Sequence, residues 1–189
     1  IRADGSLLAW GDNSENQCNV PDGNFIDIAA GDAFSLALKT DGSIVGWGSP
    51  SNDRLNIPAG NDFVQISAQN LHSIARKSDG SIVAWGNATD NLDVPASGVY
   101  VDAEAAGQGN VAIRDDGLLV AWANIWVLKT VPEWIQDLNI VKVAGGDEFF
   151  LGLTGPFAEN DADDDGVADS LDEYPEDPLR AYSLCYPLP

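Results

Sequence analysis

Twelve residues near the end of the 189-residue chain carry its densest chemistry. Asp161, Asp163, Asp165, Asp169 and Asp172 follow the pattern D-x-D-x-D-G-x-x-D-x-x-D, with Gly166 in sixth place. Carboxylates at loop positions 1, 3, 5, 9 and 12 can converge on one ion. A backbone carbonyl at position 7, here Val167, completes the set, and glycine at position 6 permits the sharp turn. Hard oxygen donors on a flexible loop suit Ca²⁺ better than Mg²⁺, which demands stricter geometry and keeps its waters. The competing reading is a solvated acidic linker without metal, because like charges repel and such a run has no core to bury. The five spaced aspartates and the placed glycine favour calcium.

The flanks lack amphipathic helices, and Asp172 stands where a helix-loop-helix calcium site has a bidentate glutamate. The continuation, Asp172-Glu-Tyr-Pro175-Glu-Asp177-Pro178, instead resembles thrombospondin type 3 repeats, in which such loops run on as D-x-[FY]-P-x-D-P. The resemblance covers roughly residues 159–179 and implies a calcium-wrapped linker that is nearly free of core. Asp177 would belong to a second, incomplete site. From Gly155 onward the chain holds ten acidic residues against the single Arg180.

Other chemistry is thin. His72 is the only histidine, and it occupies the same repeat slot as Phe34 and Phe150, which reads as strand packing rather than catalysis. Gly145-Gly-Asp-Glu-Phe149 spells a cyclase signature but fills the slot of Ala30-Gly-Asp-Ala-Phe34. Asn87-Ala-Thr89 matches a glycosylation sequon by its three residues alone. Acidic pairs such as Asp115-Asp116 sit on turns, where aspartate has a conformational reason to be. No Ser/His/Asp or Cys/His set can be assembled, so no enzyme activity is expected. Cys18 and Cys185 either form one disulfide across the chain in an oxidising compartment or remain two thiols.

The elements that carry these residues come from an internal repeat. Asp-Gly followed by a short apolar run and tryptophan occurs four times, placing Trp10, Trp47, Trp85 and Trp122 at spacings of 37, 38 and 37 residues. Pro21, Pro58, Pro95 and Pro132 recur every 37 residues. A period of this size marks an array whose single units cannot bury their own apolar faces. Asp-Gly suits a tight hairpin, and the run after it, as in Ser43-Ile-Val-Gly-Trp47, is strand-like. Two further strands complete each unit, starting at Phe25, Phe63, Val99 and Asn139, and at Phe34, His72, Asn110 and Phe150. No window holds a helical period over ten residues. Three or four short strands in each unit predict an all-β propeller blade, over residues 1–154, followed by an irregular tail over 155–189. The four repeat tryptophans are expected to be core spacers.

The register D-G-x-[hydrophobic]₂-A-W-G, polar loop, V-P, strand, A-x-G-x-x-x-S-x-A-L resembles the regulator of chromosome condensation repeat family. It is most similar to the bacterial, secreted type to which a β-lactamase inhibitor belongs. The resemblance covers residues 1 to about 154 and implies a β-propeller, commonly of seven blades, used as exchange factor, inhibitor or binding platform. Ile1-Arg2 aligns with Ile113-Arg114, so the chain opens within a repeat. Two readings follow: a C-terminal piece of a longer propeller, or four blades that close by pairing with another copy.

The formal net charge is −21, and the repeat region alone holds 20 acidic against 8 basic residues. Such a surface repels nucleic acid and anionic membranes. No apolar run reaches the length of a membrane span. A weak calcium module fits millimolar extracellular calcium, so a secreted or surface-attached bacterial protein is expected. The polar loops after each tryptophan vary while the frame repeats, which places a binding rim there. Trp126 is the candidate aromatic anchor, with Arg54 and Asn13 of other loops as further candidates, for a protein or glycan partner. A filament component assembling between copies, or an inhibitor of a secreted or periplasmic enzyme, are the alternatives.

Overall fold

The computed structural model describes residues 1–87, 92–95, 98–107, 109–123 and 131–155. Eleven strands make up the described regular structure, with short 3-10 turns at Ser51–Asp53 and Glu133–Asp137. They form three antiparallel three-stranded sheets: β1 (Phe25–Ala30), β2 (Phe34–Lys39) and β3 (Ile44–Gly48); β4 (Phe63–Gln69), β5 (His72–Lys77) and β6 (Ile82–Gly86); β7 (Tyr100–Ala106), β8 (Gly109–Arg114) and β9 (Leu119–Ala123). A fourth sheet pairs β10 (Ile140–Gly145) with β11 (Phe150–Thr154). The first strands of neighbouring sheets, β1, β4, β7 and β10, lie against one another, so each sheet is a propeller blade standing on its first strand.

The blades are staggered against the sequence repeat. The Asp-Gly turn does not open a blade but joins its second strand to its third. In the first blade Lys39 N–H bonds Ser43 O and Gly42 N–H bonds Lys39 O, while Asp41 Oδ1 accepts from Ser43 N–H and Oγ–H. Gly42 has φ +81°, and a Cβ there would meet the Asn61 carbonyl, so glycine is required. The same turn recurs at Gly5, Gly80 and Gly117, all near +82° to +84°.

Blades hold together by apolar faces and a repeated polar clasp. Leu36 and Leu38 of the first blade pack with Phe63, Ile66 and Trp85 of the second. Ile74 packs with Tyr100 and Ala103, and Val111 and Ile113 pack with Ile140 and Val143. Burying one such Leu or Ile side chain contributes roughly 1.5–3 kcal/mol. Every first strand carries a bulge between its first and third residues, and from the third position Asp27 Oδ2 accepts Ile66 N–H at 3.1 Å while Asp102 Oδ2 accepts Val143 N–H at 2.9 Å.

Three sequence expectations change. The strand pairing sets Phe149, not Phe150, opposite the slots of Phe34 and His72, because Gly145 pairs with Phe150 as Ala30 pairs with Ser35. Trp10 is not a core spacer: it is 86% exposed, whereas Trp85 and Trp122 are buried and Trp47 is half-buried. Residues 7–10 sit where a third strand belongs, yet no described strand lies beside them to cover that indole. The third change is the stagger of the blades.

Candidate functional site

Each third strand ends, and each first strand turns into the second, at the same end of the blade. The polar loops begin at this end, so it forms the rim, and the Asp-Gly turns form the opposite face. Ser49 N–H bonds Ala33 O and Asn87 N–H bonds Leu71 O, fixing where the loops leave. Adjacent rim turns also bond to each other, Asp32 N–H to Asn70 O and Gly107 N–H to Gly146 O. The Gly145-to-Phe149 motif thus lies at a rim turn, closed by Gly146 N–H to Phe149 O.

The repeat tryptophans anchor the loops. Trp47 Nε1–H donates to Gln17 O at 2.8 Å, and Trp85 Nε1–H donates to Arg54 O at 3.0 Å. Trp122 uses the blade interior instead. With the Asn110 amide oriented to satisfy its neighbours, Oδ1 accepts from Trp122 Nε1–H at 3.1 Å and Nδ2 donates to His72 Nε2 at 2.9 Å. His72 and Asn110 are fully buried, which bears out a packing role for His72.

The first loop is ordered by its own side chains. Asp12 accepts from Ser14 N–H and Oγ–H and from Gln17 Nε2–H, and Asn13 Oδ1 accepts Cys18 N–H at 2.8 Å. Asn13 Nδ2 donates to Asn19, so this exposed residue is already engaged within the loop. The Ser14 hydroxyl leads the bonds that hold the Asp12 carboxyl below its usual value. Cys18 Sγ–H faces Asp12 O at 3.2 Å. In the second loop Asn52 and Asp53 both take φ +58°, and Asn56 Nδ2–H donates to Asp53 Oδ1. Arg54 is buried, its guanidinium 5.9 Å from the ring of Phe34 in β2, so it packs against the first blade rather than standing at the open edge. Trp126, the sequon residues after Asn87, Cys185 and the metal candidates Asp161, Asp163, Asp165, Val167, Asp169 and Asp172 lie outside the described residues.

Sequence reasoning missed a polar channel between the first strands. Third-position residues Asp27, Gln65, Asp102 and Lys142 face it with Ser67 and Glu104, around a cavity of about 420 Å³. Gln65 Nε2–H donates to Asp102 Oδ1 and Arg76 Nε–H to Gln65 Oε1. Ser67 Oγ–H donates to Glu104 Oε2 at 2.6 Å. Burial pushes the Glu104 carboxyl up, Asp102 and Asp27 add to this, and the Ser67 bond and Lys142 oppose it. The signal was present as a polar residue at the third position of each otherwise largely apolar first strand. Among the described residues no group of three or more His, Cys, Asp or Glu is arranged to hold a metal ion. No helix among them is long and apolar enough to cross a membrane.

These features define an all-β array of propeller blades with a loop-bearing rim. The repeat profile described as regulator of chromosome condensation (RCC1) matches residues 25–54, the first blade and the loop after it. The chain is similar in fold to the ectodomain of the Physcomitrella patens receptor kinase CR4, at 22% identity and TM-score 0.67, covering 82% of this chain and 42% of that one. It is also similar to Prp20p from Saccharomyces cerevisiae, a protein studied for binding Gsp1p and histones, at 17% identity and TM-score 0.67, covering 79% and 52%. The Arabidopsis thaliana receptor kinase ACR4 ectodomain matches at 22% and TM-score 0.63, covering 81% and 54%. The chain therefore spans about half the length of these structures. A comparison with curated proteins finds no match.

Proposed function

We propose that the chain is a non-catalytic, extracellular interaction module of bacterial type, whose rim loops take a protein or glycan partner. The observation that carries this reading is the anchoring of the variable loops by indole N–H bonds from Trp47 and Trp85. A loop fixed before binding loses less conformational entropy on binding. Prp20p, similar in fold, was studied for binding to Gsp1p and histones and has been crystallised with Kap60, which supports a protein as the partner class. Nucleic acid is a poor candidate partner, because the repeat region carries 20 acidic against 8 basic residues.

The acidic segment over residues 161–172 would hold Ca²⁺ through Asp161, Asp163, Asp165, Asp169, Asp172 and the Val167 carbonyl. Six carboxylates in twelve residues, five of them at ligand positions, repel one another, and the ion would turn that repulsion into a compact, stiff linker. The test is capture of extracellular proteins and glycans by the immobilised full chain. Capture lost on Trp126→Ala with Asn13→Ala, yet kept on Asp41→Asn with Asp79→Asn at the opposite face, supports the rim. The reverse pattern defeats it.

A further inference from the structure

We propose that Asp22 and Gly23 form a self-modifying site, where the backbone isomerises to an isoaspartyl linkage while the other described Asp-Gly steps stay intact. This concerns the covalent chemistry of the chain, so it stands apart from what the rim binds. The sequence holds six Asp-Gly steps, and five of them lie within the described residues. Glycine after aspartate leaves the following backbone nitrogen unshielded by a Cβ, so the dipeptide alone makes the five alike. The fold makes them different.

Four of the five, at Asp4, Asp41, Asp79 and Asp116, are the repeated turns, and each turn holds both reacting groups. Asp4, Asp41 and Asp79 each accept from the N–H and Oγ–H of the serine two residues on, at 2.6–3.0 Å. Asp116 accepts Leu118 N–H at 3.3 Å and pairs with Arg114 at 2.6 Å. The nitrogens are engaged as well. Gly5, Gly42, Gly80 and Gly117 N–H donate to the carbonyls of Arg2, Lys39, Lys77 and Arg114 at 2.9–3.0 Å.

Asp22-Gly23 lies elsewhere, in the crossover from the first rim loop to β1. Among the described residues neither the Asp22 carboxyl nor the Gly23 N–H has a hydrogen-bond partner. Both residues are exposed. The same crossover in the next unit, residues 59–62, runs between two complete blades and is exposed throughout, so the exposure belongs to the crossover itself.

The step needs no cofactor. With the carboxyl protonated, the Gly23 nitrogen bonds to Asp22 Cγ, and its proton and the carboxyl OH leave as water, closing a cyclic succinimide. Water then adds at the main-chain carbonyl carbon of Asp22 and breaks its bond to the Gly23 nitrogen, which regains a proton. The chain now runs through the side chain, one methylene longer and unchanged in mass. That methylene falls between two fixed points. Upstream, Gln17 O accepts Trp47 Nε1–H and Ser35 Oγ–H at 2.8 and 2.9 Å. Downstream, Phe25 is buried and paired with Lys39 of β2. Isomerisation therefore changes the path of the first rim loop and leaves β1 in place.

Incubating the full chain at mildly acidic pH, then mapping its peptides with an isoaspartyl methyltransferase as probe, tests this. Isoaspartate is expected at residue 22 at least about tenfold above residues 4, 41, 79 and 116, the factor implied by breaking two hydrogen bonds at each turn. Asp22→Glu, which would need a larger ring, is expected to abolish the signal. Asp22→Asn is expected to react faster and to show the mass gain of a deamidation. In urea the preference for residue 22 is expected to vanish, since only the fold separates the five steps. Isoaspartate shared evenly among the five steps of the folded chain overturns the inference. So does its absence from residue 22 when the unfolded chain forms it there, or a preference for residue 22 that persists in urea.

Discussion

The indole N–H of Trp85 reaches the carbonyl oxygen of Arg54, 31 residues upstream, at 3.0 Å. The repeat tryptophan thus belongs at once to the apolar packing between blades and to the loop of the preceding unit. Core period and rim geometry are therefore set by one residue type, and loop sequence can vary while loop position does not.

Trp85→Phe keeps most of the apolar burial but removes the indole donor, leaving the Arg54 carbonyl short of a partner. The expected loss is about 1 kcal/mol in urea unfolding. Trp85→Ala adds the cavity and is expected to cost about 3–5 kcal/mol. Equal losses for the two variants would mean that the hydrogen bond, not packing, dominates.

Asn110 links Trp122 of the third blade to His72 of the second. Asn110→Ala strands the buried indole N–H and is expected to destabilise by about 1–3 kcal/mol. Near-ultraviolet circular dichroism with urea titration checks this. An unchanged midpoint contradicts the network.

The blade array was legible because Asp-Gly and tryptophan share one period, and both have local physical reasons to recur. The stagger was not read, although loop lengths encode it. The turns at 31–33 and 40–43 are short enough for hairpins, whereas residues 49–62 must cross from one blade to the next. The channel clasp was missed because Asp27 and Asp102 each bond a residue about 40 positions away, a partner no local pattern names. His72 was placed in packing from its repeat slot, but its Asn110 partner, 38 residues on, follows only from the fold.

Acid has two opposed effects. The serine hydroxyl and amide bonds at Asp4, Asp41 and Asp79 hold their folded pKa values below the ordinary carboxylate value. That stability is present above the unfolded pKa and is lost as pH falls through the folded one. Glu104 has the opposite sign: burial raises its folded pKa, so its charge opposes folding at neutral pH and this penalty fades on acidification. Glu104→Gln is expected to raise the melting temperature by a few degrees at pH 7, with the gain shrinking towards pH 4. Melting scans across that range check it; a gain that grows in acid contradicts the assignment.

Calcium removal should separate the two parts of the chain. In chelator the segment after Gly155 is expected to become protease-sensitive while residues 1–154 keep their β-sheet signal. Asp163→Asn with Asp165→Asn is expected to lower calcium affinity at least tenfold by titration calorimetry, because two of five charged ligands are lost. Loss of the sheet signal in chelator would instead make the tail part of the fold.

The central claim is that the rim carries the partner, and affinity mapping by surface plasmon resonance tests it most directly. With the captured partner in solution, Trp126→Ala and Trp47→Phe are expected to weaken binding at least tenfold. Asp41→Asn and Asp79→Asn, on the opposite face, are expected to leave it within twofold. Loss at the Asp-Gly face with the rim variants unaffected would contradict the account and move the binding surface to the other side of the blades.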